Sequence, residues 1–415
     1  MTSPIDSAAN PEVHPPAIGD VVTVDVGDPV AGGQCIARLD GQVVFVRDAI
    51  PGERVRAVVT GTGKKGAFLR ADVVEVVQAS EHRVEPPCAI SHECGGCDWQ
   101  HVSIDFQREL KARVVVDAMR RTGGVEAIGG APLDDAVTVD ALDDGDGLHW
   151  RTRMRYAVAE DGTVGLRAAR SHQIIPASEC PLAVTEISSV IAPQIPGDQR
   201  ADALVAAYAN TGELAIVDPR SRQLLTEHVG DREFSVAATG FWQVHPRAPQ
   251  TLVSTVLELA DLQPGERVLD LYSGVGLFAA FLGEAVTVTG RVDAVEGDKA
   301  ASQLGRRNLA DLPWVHHHQA PVERWLAAGH RSHADVVVLD PPRSGAGKDV
   351  ATAITRRKPR AIVYVACDAV ALARDTKYLG ERGYTLTALR CFDMFPMTKH
   401  VESVAVFTRH EPLAG

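Results

Sequence analysis

The sequence predicts a multidomain α/β protein with a small N-terminal β-barrel, a central α+β region and a C-terminal doubly wound sheet. Its 415 residues suit two to four domains, and 45% hydrophobic residues suit ordinary globular cores. From Val21, short β-type runs such as VVTVDV and GQVVFVRD alternate with turns rich in Gly, Pro and Asp, which is typical of a small barrel. From about residue 250, strand and helix patterns alternate, which indicates βαβ crossovers and a mostly parallel sheet.

These patterns divide the chain into four parts. Residues 1–16 are rich in proline and poor in periodic apolar residues, and we expect a disordered tail. The barrel is expected at residues 17–80, the central domain at 81–245 and the doubly wound domain at 246–415.

Charge and composition exclude some classes of protein. The formal net charge of -12 argues against a uniformly basic nucleic-acid coat but leaves room for one basic face. We find no run of 18 apolar residues and no signal-peptide pattern in the first twenty residues, so we expect a cytoplasmic protein without membrane association. Seven cysteines, an odd number, favour metal binding or catalysis over a disulfide framework.

A glycine-rich turn in the C-terminal domain predicts a nucleoside cofactor. Asp270-Leu-Tyr-Ser-Gly-Val-Gly276 follows an apolar strand and precedes an apolar helix, and Gly274 would let the backbone approach a ligand closely. Glu296 ends the next strand, where its carboxylate could accept hydrogen bonds from ribose hydroxyls. The turn lacks the third glycine of a dinucleotide site and favours S-adenosylmethionine, while a purely structural turn remains an alternative.

Two further strand ends carry reactive groups. The strand VVVLD ends in Asp340, followed by two prolines that cannot continue a ladder. Cys367 follows the strand AIVYVA and precedes a helical pattern, where backbone N–H groups and the helix dipole favour the thiolate. A thiolate that adds to C6 of uracil makes C5 nucleophilic towards a methyl donor, and a base, for which Glu402 is the candidate, must then remove the C5 proton. The alternatives are a buried structural cysteine and a surface carboxylate.

Taken in order, the segments DLYSGVGLF, DPPRSGAG, VYVACDAVALARD and DMFPMTKHVESVAVF resemble the RNA uridine-C5 methyltransferase family. The resemblance implies an OB-like TRAM barrel at the N-terminus and a Rossmann-like class I methyltransferase domain at the C-terminus. It implies that Cys367 is the nucleophile and Glu402 the base. It also implies that S-adenosylmethionine contacts Gln243, Tyr272, Glu296 and Asp340.

Four cysteines predict a metal centre in the central domain: Cys88, Cys94, Cys97 and Cys180. Four thiolates suit either tetrahedral zinc or an iron–sulfur cluster. Three close ligands plus a distant fourth, followed by Pro181, favour a [4Fe-4S] cluster, and the ribosomal branch of the family carries one on this arrangement. Zinc remains the alternative, and a structural or RNA-holding role is expected because methyl transfer needs no electron.

Basic residues indicate where structured RNA could bind. On a predicted strand, Arg151, Arg153 and Arg155 would form a cationic row beside Trp150 and Tyr156. Two further basic groups lie in the barrel loop and in the helix near residue 110; their members are Lys64, Lys65, Phe68 and Arg70, and Arg108, Lys111 and Arg113. No obligate protein partner is inferred.

The sequence therefore predicts an enzyme that forms 5-methyluridine in flipped-out uridine through a covalent Cys367 adduct. We expect 23S ribosomal RNA as the substrate, with transfer RNA as the nearest alternative. The rival hypotheses are a cytosine-C5 methyltransferase and a catalytically idle RNA-binding assembly factor.

Overall fold

A computed structural model describes residues 16–177, 179–191, 202–328 and 333–409. The chain divides near residue 83 into two compact units, which are described separately. The tail predicted over residues 1–16 lies outside the described residues except for its last residue. Within the described ranges, no helix combines the length and the apolar character needed to cross a bilayer.

The first unit is a closed five-stranded barrel in which the neighbours follow the order β1-β2-β3-β5-β4. Its strands are β1 (Val21–Pro29), β2 (Cys35–Leu39), β3 (Gln42–Arg47), β4 (Arg54–Thr62) and β5 (Phe68–Gln78). Alternate residues of β1 and β4 point inward, so valines fill the interior and charged residues face outward. The barrel expected from the short β-type runs is confirmed.

The second unit begins with the cysteine-rich segment and one long helix, followed by small sheets. Its first elements are α1 (Ile104–Ala118), β6 (Ala127–Ile128), β7 (Ala131–Pro132), α2 (Leu133–Ala136), β8 (Val139–Ala141), β9 (Arg153–Val158), β10 (Val164–Arg167), β11 (Ile174–Pro176), α3 (Thr185–Ile191), β12 (Ala203–Tyr208), β13 (Leu214–Val217), β14 (Leu224–Val229) and β15 (Arg232–Ala237). Strands β9 to β13 form a five-stranded antiparallel sheet, and β14 pairs with β15. Strand β8 of this part pairs with the edge of the large sheet, and residues 84–415 form one compact unit. The domain boundary predicted near residue 245 therefore stays a prediction.

The rest of the unit alternates helices and strands. These elements are α4 (Ala248–Ala260), β16 (Arg267–Leu271), α5 (Leu277–Val286), β17 (Arg291–Glu296), α6 (Lys299–Asn308), β18 (Val315–Gln319), α7 (Val322–Ala327), β19 (Val336–Leu339), α8 (Gly347–Thr355), β20 (Ala361–Ala366), α9 (Ala369–Gly380), β21 (Tyr384–Asp393) and β22 (Glu402–Arg409). The eight-stranded sheet has the order β18-β17-β16-β19-β20-β22-β21-β8.

Strands β16 to β20 are mutually parallel, whereas β22 runs antiparallel between β20 and β21. Helices cover both faces of the sheet, so β19 and β20 are buried along their whole length and consist of continuous apolar residues. The strand order reverses between β16 and β19, which is where doubly wound sheets open a crevice for ligands.

Candidate active site

The glycine-rich turn lies at the carboxyl end of β16 and leads directly into α5. Gly274 and Gly276 have φ angles of +54° and +94°, a region that glycine adopts without strain. A Cβ on Gly276 would also lie 3.0 Å from Leu309 Cδ1. The turn therefore needs glycine at the start of α5, whose backbone N–H groups face the crevice.

Glu296 holds this turn in place from the end of β17. Its Oε2 accepts a hydrogen bond from the Gly274 backbone N–H at 2.8 Å, and its Oε1 accepts one from the Asp298 N–H at 2.6 Å. A carboxylate oxygen can accept more than one hydrogen bond, so Glu296 is still able to accept ribose hydroxyls. The structure thus brings Gly274 and Glu296 together as the spacing predicts.

Tyr272 opens the turn in a left-handed conformation with a φ of +64°, which costs energy in a residue other than glycine. Its hydroxyl donates a hydrogen bond to Glu323 Oε1 at 3.3 Å. Burial, together with the charge of Glu323, raises the pKa of Tyr272. The phenol therefore stays neutral and can act as a hydrogen-bond donor and an apolar surface.

Three carboxyl groups meet at the strand ends beside the crevice: Asp270 in β16, Asp340 after β19 and Glu402 at the start of β22. Burial, then repulsion from Asp340, raises the pKa of Asp270 to about 8. The pKa values of Asp340 and Glu402 are also raised, in both cases chiefly by burial. The Ala279 backbone N–H opposes the rise in the pKa of Asp270, and the carboxylate oxygens of Asp270 make no other hydrogen bond among the described residues.

This arrangement suits a ligand that carries positive charge. Buried carboxyl groups that repel one another gain most when a cation enters among them. S-adenosylmethionine has a sulfonium and an ammonium group, and the residues present therefore fit it. The informative signal in the sequence was Asp270 itself, an acid inside an apolar strand, which we did not assign to the site.

Cys367 and the carboxyl group of Glu402 are brought together by the antiparallel pairing of β20 with β22. Ala366 pairs with Ser403, so the next residues outward, Cys367 and Glu402, lie side by side at the same sheet edge. Cys367 is half-buried, and Glu402 is buried. The residue after Cys367 caps α9: Asp368 Oδ1 accepts a hydrogen bond from the Ala371 N–H at 2.8 Å.

The expectation that the helix start favours a Cys367 thiolate is wrong. Burial, with further contributions from Glu402 and Asp340, raises the pKa of the Cys367 thiol to about 12. Arg343 acts in the opposite direction but does not compensate. The thiol is neutral at pH 7 because desolvation and acidic neighbours outweigh the helix dipole.

Gln243, the remaining predicted cofactor contact, is buried in the loop between β15 and α4. The neighbouring Val244 carbonyl accepts hydrogen bonds from the Thr152 N–H and hydroxyl, which ties this loop to the start of β9. A cofactor contact of Gln243 stays a prediction.

The four predicted cysteine ligands line one cavity of about 420 Å³. All four thiols are free and half-buried. Burial raises the pKa of Cys97 to about 12, Gln100 Nε2 donates to its Sγ at 3.0 Å, and the other three cysteines add repulsion. However, no three Cys, His, Asp or Glu side chains within the described ranges converge closely enough to hold a metal ion.

The predicted arginine row is wrong for Arg153, which is buried. Arg151 lies before β9, where it forms an isolated bridge with Ala183, and it lines the same cavity as Arg155. Arg153 is buried, and its Nη1 donates to the carbonyl oxygens of Ala237, Ala238 and Gly240, while only Arg155 is exposed.

The aromatic side chains and one lysine expected at RNA-facing surfaces also lie in the interior. Trp150 and Tyr156 are both buried, so neither presents a face on which a base could stack. Lys111 of the helix group is fully buried, and its Nζ lies 2.5 Å from Asp393 Oδ1. In the barrel loop, by contrast, Lys64 and Lys65 are exposed, and the Arg70 guanidinium lies 5.0 Å from the Phe68 ring centre.

Known protein families match three segments of the chain. Residues 17–74 match the TRAM domain, and residues 330–410 match the family described as tRNA (Uracil-5-)-methyltransferase. Residues 243–320, which contain the glycine-rich turn, match protein-L-isoaspartate(D-aspartate) O-methyltransferase.

Whole-length relatives and one solved structure are also similar. An uncharacterized RNA methyltransferase of Streptomyces avermitilis is 39% identical, with 96% of this chain and 99% of the relative covered. Another from Streptomyces coelicolor is 40% identical, with 96% and 94% covered. The crystal structure of Pyrococcus abyssi tRNA (uracil-54, C5)-methyltransferase in complex with S-adenosyl-L-homocysteine shares the fold, with a TM-score of 0.67, 22% identity, and 93% of this chain and 100% of that chain covered.

The identity to full-length relatives, the uracil-5 match over the segment with Cys367 and Glu402, and the TRAM barrel agree with one another. The chain belongs to the family of S-adenosylmethionine-dependent RNA (uracil-5-)-methyltransferases.

Proposed function

We propose that this enzyme forms 5-methyluridine in 23S ribosomal RNA through a covalent adduct between Cys367 and C6 of the target uracil. The observation that carries the proposal is the pairing of β20 with β22, which sets the thiol of Cys367 beside the carboxyl group of Glu402 at the acidic end of the sheet. A nucleophile and a base at one edge are what methylation of C5 requires, because C5 of uracil is unreactive until C6 carries a nucleophile.

S-adenosylmethionine, when bound, supplies the electrophilic methyl group. We propose that Gly274, Glu296, Tyr272, Asp340 and Gln243 hold it. Cys367 loses its thiol proton to solvent as its Sγ forms a bond to C6, and the electron pair of the C5–C6 double bond moves to C5. C5 then takes the methyl group, which leaves neutral S-adenosylhomocysteine. The Glu402 carboxylate then removes the C5 proton, the C5–C6 double bond re-forms, and the Cys367 sulfur leaves as the thiolate.

The adduct can be tested with RNA that contains 5-fluorouridine. Fluorine at C5 leaves no proton to remove, so the covalent complex should persist under denaturing conditions. We expect a stable band with wild-type protein and S-adenosylmethionine and none with Cys367→Ala. Cys35→Ala, which removes a cysteine of the barrel, should behave as wild type. RNA binding without any adduct in the wild type would instead support an RNA-binding assembly factor.

We also propose that Cys88, Cys94, Cys97 and Cys180 hold a [4Fe-4S] cluster. The four thiols line one cavity, which can accommodate a multi-atom centre, and the exposed guanidinium groups of Arg155, Arg167 and Arg170 line it as well. A single zinc ion with Zn–S bonds of about 2.3 Å would need all four sulfurs within about 3.8 Å of one another. Protein purified without oxygen should be brown and contain about four irons, whereas a colourless protein with one zinc would contradict the cluster.

The substrate is the finer part of the proposal. The four-cysteine arrangement favours ribosomal RNA, because the ribosomal branch of the family carries its cluster on this spacing. Transfer RNA is the second candidate, since the solved structure of similar fold is named for uracil 54 of tRNA. Mapping 5-methyluridine across total RNA from cells with and without the protein separates the two, and an RNA substrate agrees with the cytoplasmic location expected from the sequence.

A further inference from the structure

Residues 88–99, here called the four-cysteine loop because they carry three of the four proposed ligands and lie beside the fourth, Cys180, are hydrogen-bonded directly to the chain that leads into Glu402. Residues 394–401, here called the base loop, connect β21 with β22, and Glu402 follows at once. Each of the contacts joins residues about 300 positions apart in sequence, so these contacts form only when the protein is folded.

Met397 is the centre of this contact. Its φ of +64° is a left-handed conformation that a residue with a side chain adopts only when its surroundings hold it. Its carbonyl oxygen accepts hydrogen bonds from the backbone N–H groups of Asp98 and Trp99, both at 3.1 Å. Its own N–H donates to Gln107 Oε1 at 2.8 Å, and Gln107 is completely buried.

The Met397 side chain also reaches the cysteine site. Together with Trp150 and Leu182 it forms a small apolar cluster, and Cys97 and Cys180 pack against that cluster. Two of the four proposed ligands therefore support the same residue that the backbone of Asp98 and Trp99 holds.

Asp98 makes a second connection, to Lys399. Its Oδ2 accepts a hydrogen bond from the Lys399 backbone N–H at 3.2 Å, and its Oδ1 lies 3.3 Å from Lys399 Nζ. The loop is further closed by Thr398, whose hydroxyl donates to the Phe395 carbonyl oxygen at 2.8 Å. Only two residues, His400 and Val401, separate Lys399 from Glu402, so a displacement of the base loop would displace the carboxylate that Glu402 presents.

We infer that the four-cysteine loop sets the position of the general base, with Asp98 as a positioning residue that acts on Glu402 through Met397 and Lys399. The inference rests on the proposed function and deepens it. These contacts would then affect removal of the C5 proton, a later step than the attack by Cys367. Cys367 lies at the end of β20 and does not depend on these contacts.

The test compares Asp98→Ala and Lys399→Ala with the wild type. Both variants should still form the 5-fluorouridine adduct at close to the wild-type rate, because that step uses Cys367. With ordinary uridine RNA, turnover should fall by about 10- to 100-fold, as expected for a misplaced catalytic group, and KM for RNA should stay unchanged. Methylated RNA covalently bound to protein should accumulate, since elimination waits for the base.

Hydrogen exchange supplies a readout that does not depend on turnover. Amides of residues 394–402 should exchange faster in both variants, and in wild-type protein after removal of iron, than in the iron-loaded wild type, whereas amides of β20 should not change. Asp117→Ala is the matched control: its carboxylate pairs with Arg121 at 2.6 Å on α1 and makes none of these contacts. This variant should exchange and turn over as the wild type does.

The outcomes separate the inference from the proposed function. If the wild type forms no 5-fluorouridine adduct, the proposed function fails. If the adduct forms but both variants retain wild-type exchange and turnover, the inference is wrong. Loss of RNA affinity with normal turnover at saturating RNA would also overturn it. Should Asp98→Ala not fold, Lys399→Ala decides alone, because it leaves the cysteine loop unaltered.

Discussion

Substitution of Arg153 tests whether this residue stabilises the folded protein or binds RNA. The Arg153 guanidinium is buried beside Glu227, with 3.5 Å between Nη2 and Glu227 Oε1, and it donates to three carbonyl oxygens in residues 237–240. We consider Arg153→Met, which keeps most of the side-chain volume but removes the charge and all the donors. Arg155, two positions along the same strand, is exposed and provides the matched comparison.

The expected loss of folding stability follows from Glu227, which stays buried after Arg153 is replaced. Removal of one partner of a buried ion pair costs about 3–5 kcal/mol, because the other charge stays buried. Arg153 Nε and Nη2 make no hydrogen bond within the described chain, so their removal also removes the cost of burying them without a partner. We therefore expect a loss of stability at the lower end of that range, about 3 kcal/mol. At about 2 °C per kcal/mol for a unit of this size, the melting temperature should fall by about 6 °C.

The loss of stability caused by Arg153→Met should also depend on pH. Burial raises the pKa of Glu227, and Arg153 counteracts this. Without Arg153 the folded-state pKa rises further above the unfolded value, so the folded state binds the proton more tightly and loses stability as pH increases. The difference in melting temperature between wild type and Arg153→Met should therefore be smaller at pH 5 than at pH 8.

Thermal unfolding and RNA titration measure the two effects separately. Arg153→Met should lose stability but retain wild-type RNA affinity below its melting temperature. Arg155→Ala should retain the melting temperature, while its RNA affinity weakens if this surface contacts phosphates. A variant of Arg153 that melts as the wild type does, yet binds RNA more weakly, would refute the assignment of Arg153 to the interior.

Two other predictions address the active site, and a third addresses a buried hydrogen bond of the same sheet. Burial beside acidic groups raises the pKa of Cys367 to about 12, so the rate of 5-fluorouridine adduct formation should increase with pH between about 6 and 9, and a flat profile would contradict a neutral resting thiol. Glu296→Ala removes a carboxylate that accepts the Gly274 N–H, so calorimetry should show S-adenosylhomocysteine binding weakened by about 10- to 100-fold, and unchanged binding would contradict this role. Asp375→Ala leaves the buried Tyr364 hydroxyl, 2.7 Å from Asp375 Oδ2, without this acceptor, and chemical denaturation should show a loss of about 1–3 kcal/mol.

Local patterns were sufficient to locate the ends of the parallel strands. AIVYVA followed by AVALARD predicts a buried strand and then a helix, and Cys367 does lie between β20 and α9. The glycine-rich turn and Glu296 follow from the same logic, since carboxyl ends of parallel strands share one edge. The closeness of Cys367 to Glu402 depends on the antiparallel register of β22, which no local pattern encodes; it was expected from the chemistry of C5 methylation and from the family resemblance.

The predicted arginine row also depends on contacts between residues distant in sequence. Alternation along β9 correctly places Arg153 and Arg155 on one face, but it does not tell what covers that face. The turn after β15 supplies carbonyl oxygens, and β14 supplies Glu227, so one arginine is enclosed while the other stays exposed. Lys111 is the same case, because its partner Asp393 is 282 positions away.

On the proposed mechanism, the acidic surroundings of Cys367 keep its thiol neutral until the other components of the reaction are bound. With a pKa raised to about 12, the thiol carries little thiolate at pH 7, and oxidation and alkylation both proceed through the thiolate. The same carboxyl groups that suppress the thiolate, Asp340 and Glu402, are those that a cationic ligand would partly neutralise. A cation in the crevice would lower the cost of the thiolate, and reactivity would thereby be confined to the complex in which a methyl donor is at hand.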